Sequence, residues 1–487
     1  MPQFTDDFIK EALEYYSGII KKEIRMPYGD RKLSIQLPLE TSILNHPATD
    51  LISLDESRKA VNDALDRPFG GETIEYLVKS NSKAPKNQKA TVIVCDRTRP
   101  VPYHWEDQRG ILKPVLERLV HSGLNCSNIN ILVALGTHSE QDKDNWVRDK
   151  FGDKVSNGGY KIVFHDCKAD DLVSVGLVDT GHGNIEVRLN RLLIESDIII
   201  PTASIESHFM AGASGGAKVL YPGCASGEAI VKGIHGPFQM TDKNTDFLII
   251  DENPIQQTLW KTVEKLVKGY NPKIFSLNVV MSGDCEYLMG VFAGGMKESH
   301  KAGVELVKSY AKSYIDNPVD IVISPAGPIA SSNQYQSVKP LFAASRIMTE
   351  GGYAIIISPM HGGIGGKEGY AQSMRQLAAM GPEKYLAEVV KPGYKYELEE
   401  WQTVMCARAL KGQKNVVWVT DNLSKEELKQ LPGLNAYDLH TGKPLEIKET
   451  VQRAIAVIYH SLFKELKTPP NVAYIVNETV VPTLRSA

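Results

Sequence analysis

The sequence predicts an α/β protein with mostly parallel sheets, and three observations support this fold class. Short runs of nearly all-apolar, β-branched residues, such as Ala90–Cys95 and Asp320–Ser324, recur along the 487 residues. Strands that are buried on both faces of a parallel sheet have this composition. Amphipathic stretches such as Thr258–Lys268 separate these runs, with apolar residues three and four positions apart. Polar and glycine-rich motifs follow the apolar runs directly, as in open α/β sheets.

These patterns also predict the order of elements and the division into domains. The predicted strands are Ala90–Cys95, Asn130–Leu135, Tyr160–Phe164, Asp197–Pro201, Asp246–Ile250, Ile274–Val280, Asp320–Ser324, Tyr353–Ser358, Asn415–Thr420 and Asn471–Asn477. Helices are predicted at Asp107–His121, Thr258–Lys268 and Lys297–Ser313. The turn signal Asp316-Asn317-Pro318 places a boundary near residue 315. We therefore expect a first domain at 1–315 and a second at 316–464, with 465–487 returning to the first.

Composition and charge exclude several classes of protein. The formal net charge is -3, with acidic and basic residues interspersed, so no field of one sign predicts binding to nucleic acid or to a membrane. No 18 apolar residues run together, and the N-terminal sequence lacks the basic and apolar regions of a signal peptide. The six cysteines are scattered without a CxxC pair, which is typical of reduced thiols. The sequence predicts a cytoplasmic protein.

The motif Asp96-Arg97-Thr98-Arg99-Pro100 follows the first predicted buried strand. The planar guanidinium of Arg99 is suited to bind a carboxylate or to polarise a substrate oxygen. Asp96 is suited to orient a hydroxyl group. An ion pair at the end of the strand is the structural alternative.

Three histidines are candidates for acid/base chemistry, because imidazole titrates near neutral pH. His138 follows the second predicted strand, in Gly136-Thr137-His138, and His165 follows the third. His182 lies in the glycine-flanked loop Thr180–Gly183. The alternative interpretation of His182 is a solvated loop residue, and the neighbours of His165 suggest a turn.

The segment 206–223, ESHFMAGASGGAKVLYPG, carries the most information. Its glycines allow backbone N–H groups to approach an anion, and Lys218 follows them. The segment is not a P-loop, because Ala217 separates Gly216 from the lysine and Val219 stands where a hydroxyl residue belongs. His208 is a possible metal ligand. HExxH and paired-cysteine patterns are absent from the sequence, so zinc hydrolase chemistry has little support.

In the second predicted domain, Gln336 and Lys339 stand three residues apart. On a helix they share a face, where an amide and an ammonium can hold a carboxylate. The alternative is an exposed helix start. The glycine-rich stretch Met360–Gly366, after another predicted strand, is suited to a loop that closes over a site.

In their order, these motifs resemble the lactate racemase family. DxTRP, GTH, ExHFxAGxSGGxKxxxPG and then QxxK make up that family's pattern, and the likeness continues from near Ile20 to the C-terminal end. The resemblance implies two α/β domains with an active-site cleft between them. It also implies a nickel-pincer nucleotide, which is a pyridinium-3,5-bisthiocarboxylate mononucleotide carrying nickel, as cofactor. By this likeness His208 is the metal ligand, and the cofactor-binding residues are Asp96, Gly215, Gly216 and Lys218.

The reaction that the resemblance implies is inversion at C2 of a 2-hydroxy acid, by a racemase or epimerase. Hydride passes reversibly to the cofactor while a histidine takes the hydroxyl proton. By the likeness, His138 and His182 are the acid/base pair on opposite faces of the substrate, and Arg99 polarises the substrate oxygen. Gln336 and Lys339 help to bind the substrate carboxylate or the cofactor. The implied partners are the 2-hydroxy acid and the enzymes that build the cofactor.

The sequence departs from the family at one position. The best-known members hold the cofactor covalently through a lysine shortly after the second histidine. The matching stretch here is EVRLNR, residues 186–191, and no lysine occurs between Lys168 and Lys218. Because Arg191 does not readily form the same link, we predict a noncovalently bound cofactor.

Two other classes of function compete with this interpretation. A binding or sensor protein would keep the cleft without the chemistry, as the missing lysine suggests. An NAD-linked dehydrogenase has little support, because no GxGxxG opens a helix after the first strand. Within the racemase interpretation, lactate, malate, longer or aromatic hydroxy acids and sugar acids all stay open as substrates.

Overall fold

The computed structural model of the chain describes residues 4–138, 142–327, 330–366, 368–439 and 445–485. The strands are β1 Lys21–Tyr28, β2 Arg31–Pro38, β3 Ser42–Leu44, β4 Ala90–Cys95, β5 Ile129–Ala134, β6 Lys161–Phe164, β7 Val173–Asp179, β8 Asn184–Leu189, β9 Ile198–Ser204, β10 Ser207–His208, β11 Gly212–Ala213, β12 Lys273–Ile274, β13 Ser276–Met281, β14 Leu288–Gly294, β15 Lys312–Ile315, β16 Val319–Pro325, β17 Met348–Ile357, β18 Asn415–Val419, β19 Leu434–Asn435, β20 Val472–Ile475 and β21 Val481–Leu484.

The helices are α1 Asp6–Ser17, α2 Leu54–Asp66, α3 Ile74–Lys79, α4 Leu112–His121, α5 Lys143–Phe151, α6 Asp153–Ser156, α7 Arg191–Glu195, α8 Gly227–Ala229, α9 Pro237–Thr241, α10 Pro254–Tyr270, α11 Met296–Ala311, α12 Gln334–Ser345, α13 Glu368–Met380, α14 Pro382–Val389, α15 Glu400–Leu410, α16 Lys425–Leu428 and α17 Ile447–Leu466. A π-helical turn spans Ile230–Ile234. Within the described ranges, none of the helices has the length and apolar character that crossing a membrane requires.

The chain forms two compact units. Residues 48–310 form one, and residues 1–47 together with 311–487 form the other. This division differs from the predicted one, in which 1–315 is a single domain to which 465–487 return. The physical reason is strand pairing, because β3 and β20 lie side by side in parallel and bring both ends of the chain into the same sheet. Patterns within short windows of sequence do not reveal a pairing between strands so far apart.

The sheet of unit 48–310 has the strand order β14-β13-β9-β4-β5-β6, and β12 also pairs with β9. All neighbours are parallel except β13 and β14. From β4 the chain adds β5 and β6 on one side, and then β9 on the other. The order therefore reverses between β4 and β9, and ligands bind at such switch points in open α/β sheets.

The predicted α/β class with mostly parallel sheets is confirmed. The strand at Ala90–Cys95 has the predicted bounds, and Asn130–Leu135 and Asp320–Ser324 differ from observed strands by one residue at each end. The strand predicted at Asp246–Ile250 is wrong. Leu248 there has a positive φ of 60° and its N–H donates to the carbonyl of Gly212, so this apolar run packs irregularly against the 206–223 segment.

Helix boundaries follow from capping. The long helix α10 starts at Pro254 after Asn253, whose side chain accepts hydrogen bonds from the N–H groups of Ile255 and Gln256. It ends at Asn271 in the left-handed conformation. The helix predicted at Asp107–His121 begins later, at Leu112, because Asp107 lies in a preceding turn.

The other unit is built on a six-stranded sheet of order β19-β18-β17-β16-β20-β3, and every pairing in it is parallel. The hairpin β1–β2 and the helices α1 and α17 contribute to its core. The buried residues of that core include Met26, Ile35, Leu37, Ile323, Ile355, Val417, Val451, Ile455 and Tyr474.

Candidate active site

The first part of the site is the edge formed by the carboxyl ends of β4 and β9. A buried tyrosine contacts both strands there. The hydroxyl of Tyr103 accepts a hydrogen bond from the N–H of Cys95, at the end of β4, at 2.9 Å. It also lies 3.1 Å from the carbonyl oxygen of Thr202 in β9. These two contacts fix the ends of β4 and β9 relative to each other, and therefore also the backbone from which the following side chains extend.

Asp96 and His138, from the loops after neighbouring strands, form a direct pair at this edge. Nδ1 of His138 lies 2.7 Å from Oδ2 of Asp96. The other carboxylate oxygen of Asp96 accepts from the backbone N–H and the hydroxyl of Thr98, at 3.1 and 2.6 Å. Burial raises the pKa of Asp96, but the hydrogen bonds from His138 and Thr98 outweigh burial, and the pKa falls to about 2.

An ionised Asp96 determines where His138 carries its proton. A carboxylate only accepts hydrogen bonds, so Nδ1 of His138 must be the donor. In the neutral ring, Nε2 then keeps its lone pair. The His138 side chain is 45% exposed, whereas the Asp96 side chain is 10% exposed. This pair can therefore offer a base to a small molecule at the edge of the sheet.

No hydrogen bond or ion pair joins Arg99 to Asp96 in the described part of the chain, and the ion-pair partner of Asp96 at this strand end is His138. One guanidinium nitrogen of Arg99 donates to the carbonyl of Thr98 at 2.9 Å. The residue is only partly buried. Arg99 thus lies beside the Asp96–His138 pair with donors left for another acceptor.

The 206–223 segment folds back on itself through the two-residue strands β10 and β11, which pair His208 with Gly212. Gly212 has a φ of 72°, and a Cβ there would lie 1.9 Å from the carbonyl oxygen of Ile249. Only glycine fits this close approach. The end of the segment meets the His138 loop, because the N–H of Gly136 donates to the carbonyl of Gly223 at 2.9 Å.

His208 is buried, and hydrogen bonds to Nδ1 fix its ring. Its Nδ1 accepts from the N–H groups of Met210 and Ala211, each at 3.2 Å. In the neutral ring the proton is therefore on Nε2, which lies 3.2 Å from Nζ of Lys218. A metal ion held by His208 would bind at Nε2 in place of this proton, next to Lys218.

Gly215 and Gly216 lie between His208 and Lys218 in sequence, and both have left-handed backbone, with φ of 77° and 52°. A Cβ at Gly216 would be 2.7 Å from the ring of His300. The N–H of Gly216 donates to Oδ1 of Asn278 at 3.3 Å. Burial lowers the pKa of His300 to about 4, so its Nε2 donates to the Ser214 carbonyl from a neutral ring.

His235 is a residue of this region that sequence analysis missed. It follows the π-helical turn Ile230–Ile234 and is buried. Its pKa falls to about 3, first because of burial and then because of the charges of Lys218 and His138. His235 therefore lies within electrostatic range of both of these residues. No motif marks it in the sequence, since it follows neither a strand nor a glycine loop.

The other two candidate histidines differ in their surroundings. His165 is buried, with Nε2 2.9 Å from the carbonyl of Ala225 and Nδ1 3.2 Å from Nδ2 of Asn190. Both of its nitrogens are engaged, and burial lowers its pKa. His182 is exposed at the tip of the β7–β8 hairpin, and its ring stacks on Phe238 with centroids 5.3 Å apart. His182 and His138 are not in direct contact in the described part of the chain.

Gln336 and Lys339 lie on α12, in the other compact unit. The helix is buried along most of its length, so the alternative of an exposed helix start is wrong. Oε1 of Gln336 is buried and has no hydrogen-bond partner among the described residues. The Met360–Gly366 stretch packs at the start of this helix, where carbonyls of Gly363 and Ile364 accept from its first N–H groups.

Two protein-domain families match parts of this chain, and two lactate racemases are similar to it over most of its length. The lactate racemase N-terminal domain family matches residues 28–245, and the lactate racemase C-terminal domain family matches residues 315–460. The lactate racemase of Lactiplantibacillus plantarum is 30% identical over 445 residues, which cover 90% of this chain and 94% of that protein. The lactate racemase of Thermoanaerobacterium thermosaccharolyticum is 29% identical over 437 residues, or 88% of this chain and 94% of that protein.

Solved structures agree with these matches. The lactate racemase apoprotein from T. thermosaccharolyticum superposes with a TM-score of 0.79 and 25% identity, covering 96% of this chain and 100% of that one. A Thermotoga maritima protein shares the fold, with a TM-score of 0.63 and 17% identity over 90% of this chain and 100% of that one. Sequence matches that span both units, together with this structural likeness, establish that the chain belongs to the lactate racemase family.

Proposed function

We propose that this protein is a racemase or epimerase that inverts C2 of a 2-hydroxy acid with a nickel-pincer nucleotide as cofactor. The observation that carries the proposal is the pair of a buried Asp96 and an exposed His138 at the carboxyl edge of the sheet, in the same unit as the His208–Lys218 pair. One pair supplies a base, and the other supplies a metal ligand and a cation. Membership of the family supports this combination.

The residues around His208 fit such a cofactor. The described part of the chain contains no group of three or more His, Cys, Asp or Glu side chains that could hold a metal ion. His208 offers one nitrogen, which suits a nickel ion that already carries organic ligands. Lys218 is a cation suited to an anionic phosphate, next to the positive-φ backbone of Gly215 and Gly216. When bound, the nickel-pincer nucleotide supplies a reversible hydride acceptor.

The protein's own part is to position the substrate and move its hydroxyl proton. We assign His138 as the base on one face, with Asp96 holding its ring, and Arg99 as the donor that polarises the substrate oxygen. Gln336 and Lys339 are proposed to bind the substrate carboxylate. The unpartnered Gln336 oxygen is consistent with a ligand there, since buried polar atoms are normally hydrogen-bonded.

We propose His182 as the base on the other face. Support comes from Phe238, which contacts the His182 ring and follows the buried His235 by three residues. Three residues of chain span at most about 10 Å, and the charges of Lys218 and His138 lower the pKa of His235. His165 is a weaker candidate because both of its nitrogens are engaged and its ring is buried.

The decisive experiment is expression together with the cofactor-building enzymes, followed by elemental analysis and racemisation assays on lactate, malate, longer hydroxy acids and sugar acids. We expect bound nickel and inversion of at least one of these substrates. A protein that binds a 2-hydroxy acid without nickel and without inversion would instead be a binding or sensor protein. A cytoplasmic location is part of the proposal, because it gives access to the cofactor-building enzymes.

The cofactor is expected to be noncovalent. Arg191, in the stretch that corresponds to the lysine-bearing segment of the family, has a half-exposed side chain 3.5 Å from Asp171, and the stretch from Ala169 to Ala217 contains no lysine. Intact-mass spectrometry of the denatured, nickel-loaded protein should give the polypeptide mass alone. A stable adduct on any residue of that stretch would contradict this prediction.

Replacing His208 by alanine is expected to abolish nickel retention while the fold survives. The buried ring accepts from two backbone N–H groups and lies next to Lys218. The loss in free energy of unfolding should be about 1 kcal/mol, as for an ordinary substitution. The measurements are nickel per chain and urea unfolding. Stoichiometric nickel in the variant would exclude His208 as the ligand.

A further inference from the structure

Phe238 is a large aromatic side chain that lies in the short helix α9 and is 48% exposed. Its ring lies nearly parallel to the ring of His182, with an interplanar angle of 19° and centroids 5.3 Å apart. This is a stacked arrangement, in which an aromatic pair gains free energy beyond the burial of its surface. Phe238 belongs to none of the motifs that identify the family in this sequence.

The backbone of the His182 turn is well fixed. The N–H and the hydroxyl of Thr180 both donate to the carbonyl of Gly183 at 3.0 Å, and the N–H of His182 donates to the Thr180 hydroxyl. Lys261 of α10 binds the carboxylate of Asp179 at 2.8 Å, which anchors the turn to the unit. These bonds hold the main chain and leave the imidazole free to rotate about its own side-chain bonds.

The contact with Phe238 is what limits that rotation. Among the described residues, no hydrogen bond fixes the His182 ring, and nothing lies within 4 Å of a Cβ built at Gly181 or Gly183. His182 is exposed, and the aromatic face of Phe238 lies on one side of its ring.

Backbone hydrogen bonds fix the segment that carries Phe238. The N–H of His235 donates to the carbonyl of Ile230, which closes the π-helical turn, and the N–H of Met240 donates to the carbonyl of Gly236. The neighbours Gln239 and Met240 are buried. The Phe238 ring thus extends from a fixed segment that begins at the buried His235.

We propose that Phe238 is a positioning residue that acts through His182. Its ring holds the imidazole in the orientation in which a ring nitrogen reaches the substrate hydroxyl. This inference rests on the proposed function, because it presupposes that His182 is a base. A small error in the placement of a catalytic group costs up to about 10²-fold in rate, so even a side chain that never touches substrate can matter.

The test compares Phe238→Ala, Phe238→Leu and Phe238→Tyr with His182→Gln in nickel-loaded protein. Tyr76→Ala is the matched control, because Tyr76 is another exposed aromatic residue of the same unit, on α3 ahead of the amino end of β4. We expect Phe238→Ala and Phe238→Leu to lower kcat roughly tenfold, with KM and nickel content little changed. Phe238→Tyr keeps the ring and should retain most of the wild-type kcat.

A spectroscopic readout separates positioning from general damage. In protein labelled with ¹³C in its twelve histidine rings, the His182 signal is identified by its absence in His182→Gln. It should shift in Phe238→Ala and Phe238→Leu, where the neighbouring ring is lost, and stay near its wild-type position in Phe238→Tyr and Tyr76→Ala.

The outcomes distinguish this inference from the function on which it rests. If His182→Gln is inactive while Phe238→Ala keeps the wild-type kcat, or if Phe238→Tyr is as poor as Phe238→Ala, the positioning role of Phe238 is wrong and the base assignment stands. If His182→Gln racemises at the wild-type rate, His182 is not a base, and the proposed function of His182 is wrong whatever the Phe238 variants show. A tenfold loss in Tyr76→Ala would also overturn the inference, because the effect would not be specific to Phe238.

Discussion

Replacement of either His138 or His182 by alanine is expected to lower the rate of inversion by at least about 10²-fold, with the cofactor still bound. A racemase must take the hydroxyl proton from either configuration, and one imidazole does not easily reach both faces of the substrate. General acid/base groups contribute roughly 10²–10⁴-fold in rate. The measurement is turnover of each enantiomer of an identified substrate, with nickel content determined in parallel.

Single-turnover experiments identify the face on which each histidine acts. Two enantiomers with one stereocentre have equal free energies, so kcat/KM must fall by the same factor in both directions. Formation of the bound 2-oxo acid in one turnover is not constrained in this way. His138→Ala and His182→Ala should each still oxidise one enantiomer, and the two variants should prefer opposite enantiomers.

The variant His165→Ala is the comparison for His182→Ala, because His165 is the alternative second base. Its buried ring bonds to Ala225 and Asn190, so His165→Ala should cost about 1–3 kcal/mol of folding free energy and leave the chemistry intact in the folded fraction. Near-normal racemisation by His182→Ala, together with an inactive His165→Ala that still holds nickel, would show that His165 is the second base.

Replacement of Asp96 by asparagine is expected to lower kcat by about 10²-fold or more while the volume of the side chain is preserved. The carboxylate accepts the proton on Nδ1 of His138 and leaves Nε2 as the base. An amide nitrogen at this place can donate to Nδ1 instead, which moves the ring proton to Nε2 and removes the base. Thr98→Val is the control, because it removes a hydrogen bond to Asp96 and keeps the carboxylate.

The same variant should change the acid stability of the protein. The pKa of Asp96 is about 2 in the folded state against an ordinary 3.8, so its ionisation stabilises the fold at pH values above the ordinary pKa. This stabilisation, about 2 kcal/mol, is lost as pH falls from about 4 to 2. In urea unfolding, wild type should lose more stability than Asp96→Asn between about pH 5 and pH 3. Parallel pH profiles for the two proteins would contradict the ionised state of Asp96.

Local sequence patterns were sufficient to predict the α/β class, most of the strands and the positions of several candidate site residues after those strands. Runs of β-branched residues and amphipathic spacing are local properties, so Ala90–Cys95 could be recognised without knowledge of its neighbours. Because the carboxyl ends of parallel strands meet at one edge, the motifs with Asp96 and His138 could be expected to come together. The segment around His208 and Lys218 was recognisable by its glycines.

Which of these residues make contact, and how the chain divides into units, depends on long-range strand pairing. The pairing of β4 with both β5 and β9 places Asp96 next to His138, and the pairing of β3 with β20 joins both ends of the chain in one unit. His235 and Phe238 follow a π-helical turn and no strand, so no motif marks them. The physical reason is that such contacts join residues far apart in sequence, whereas periodicity reports only on neighbours within a few turns or one strand.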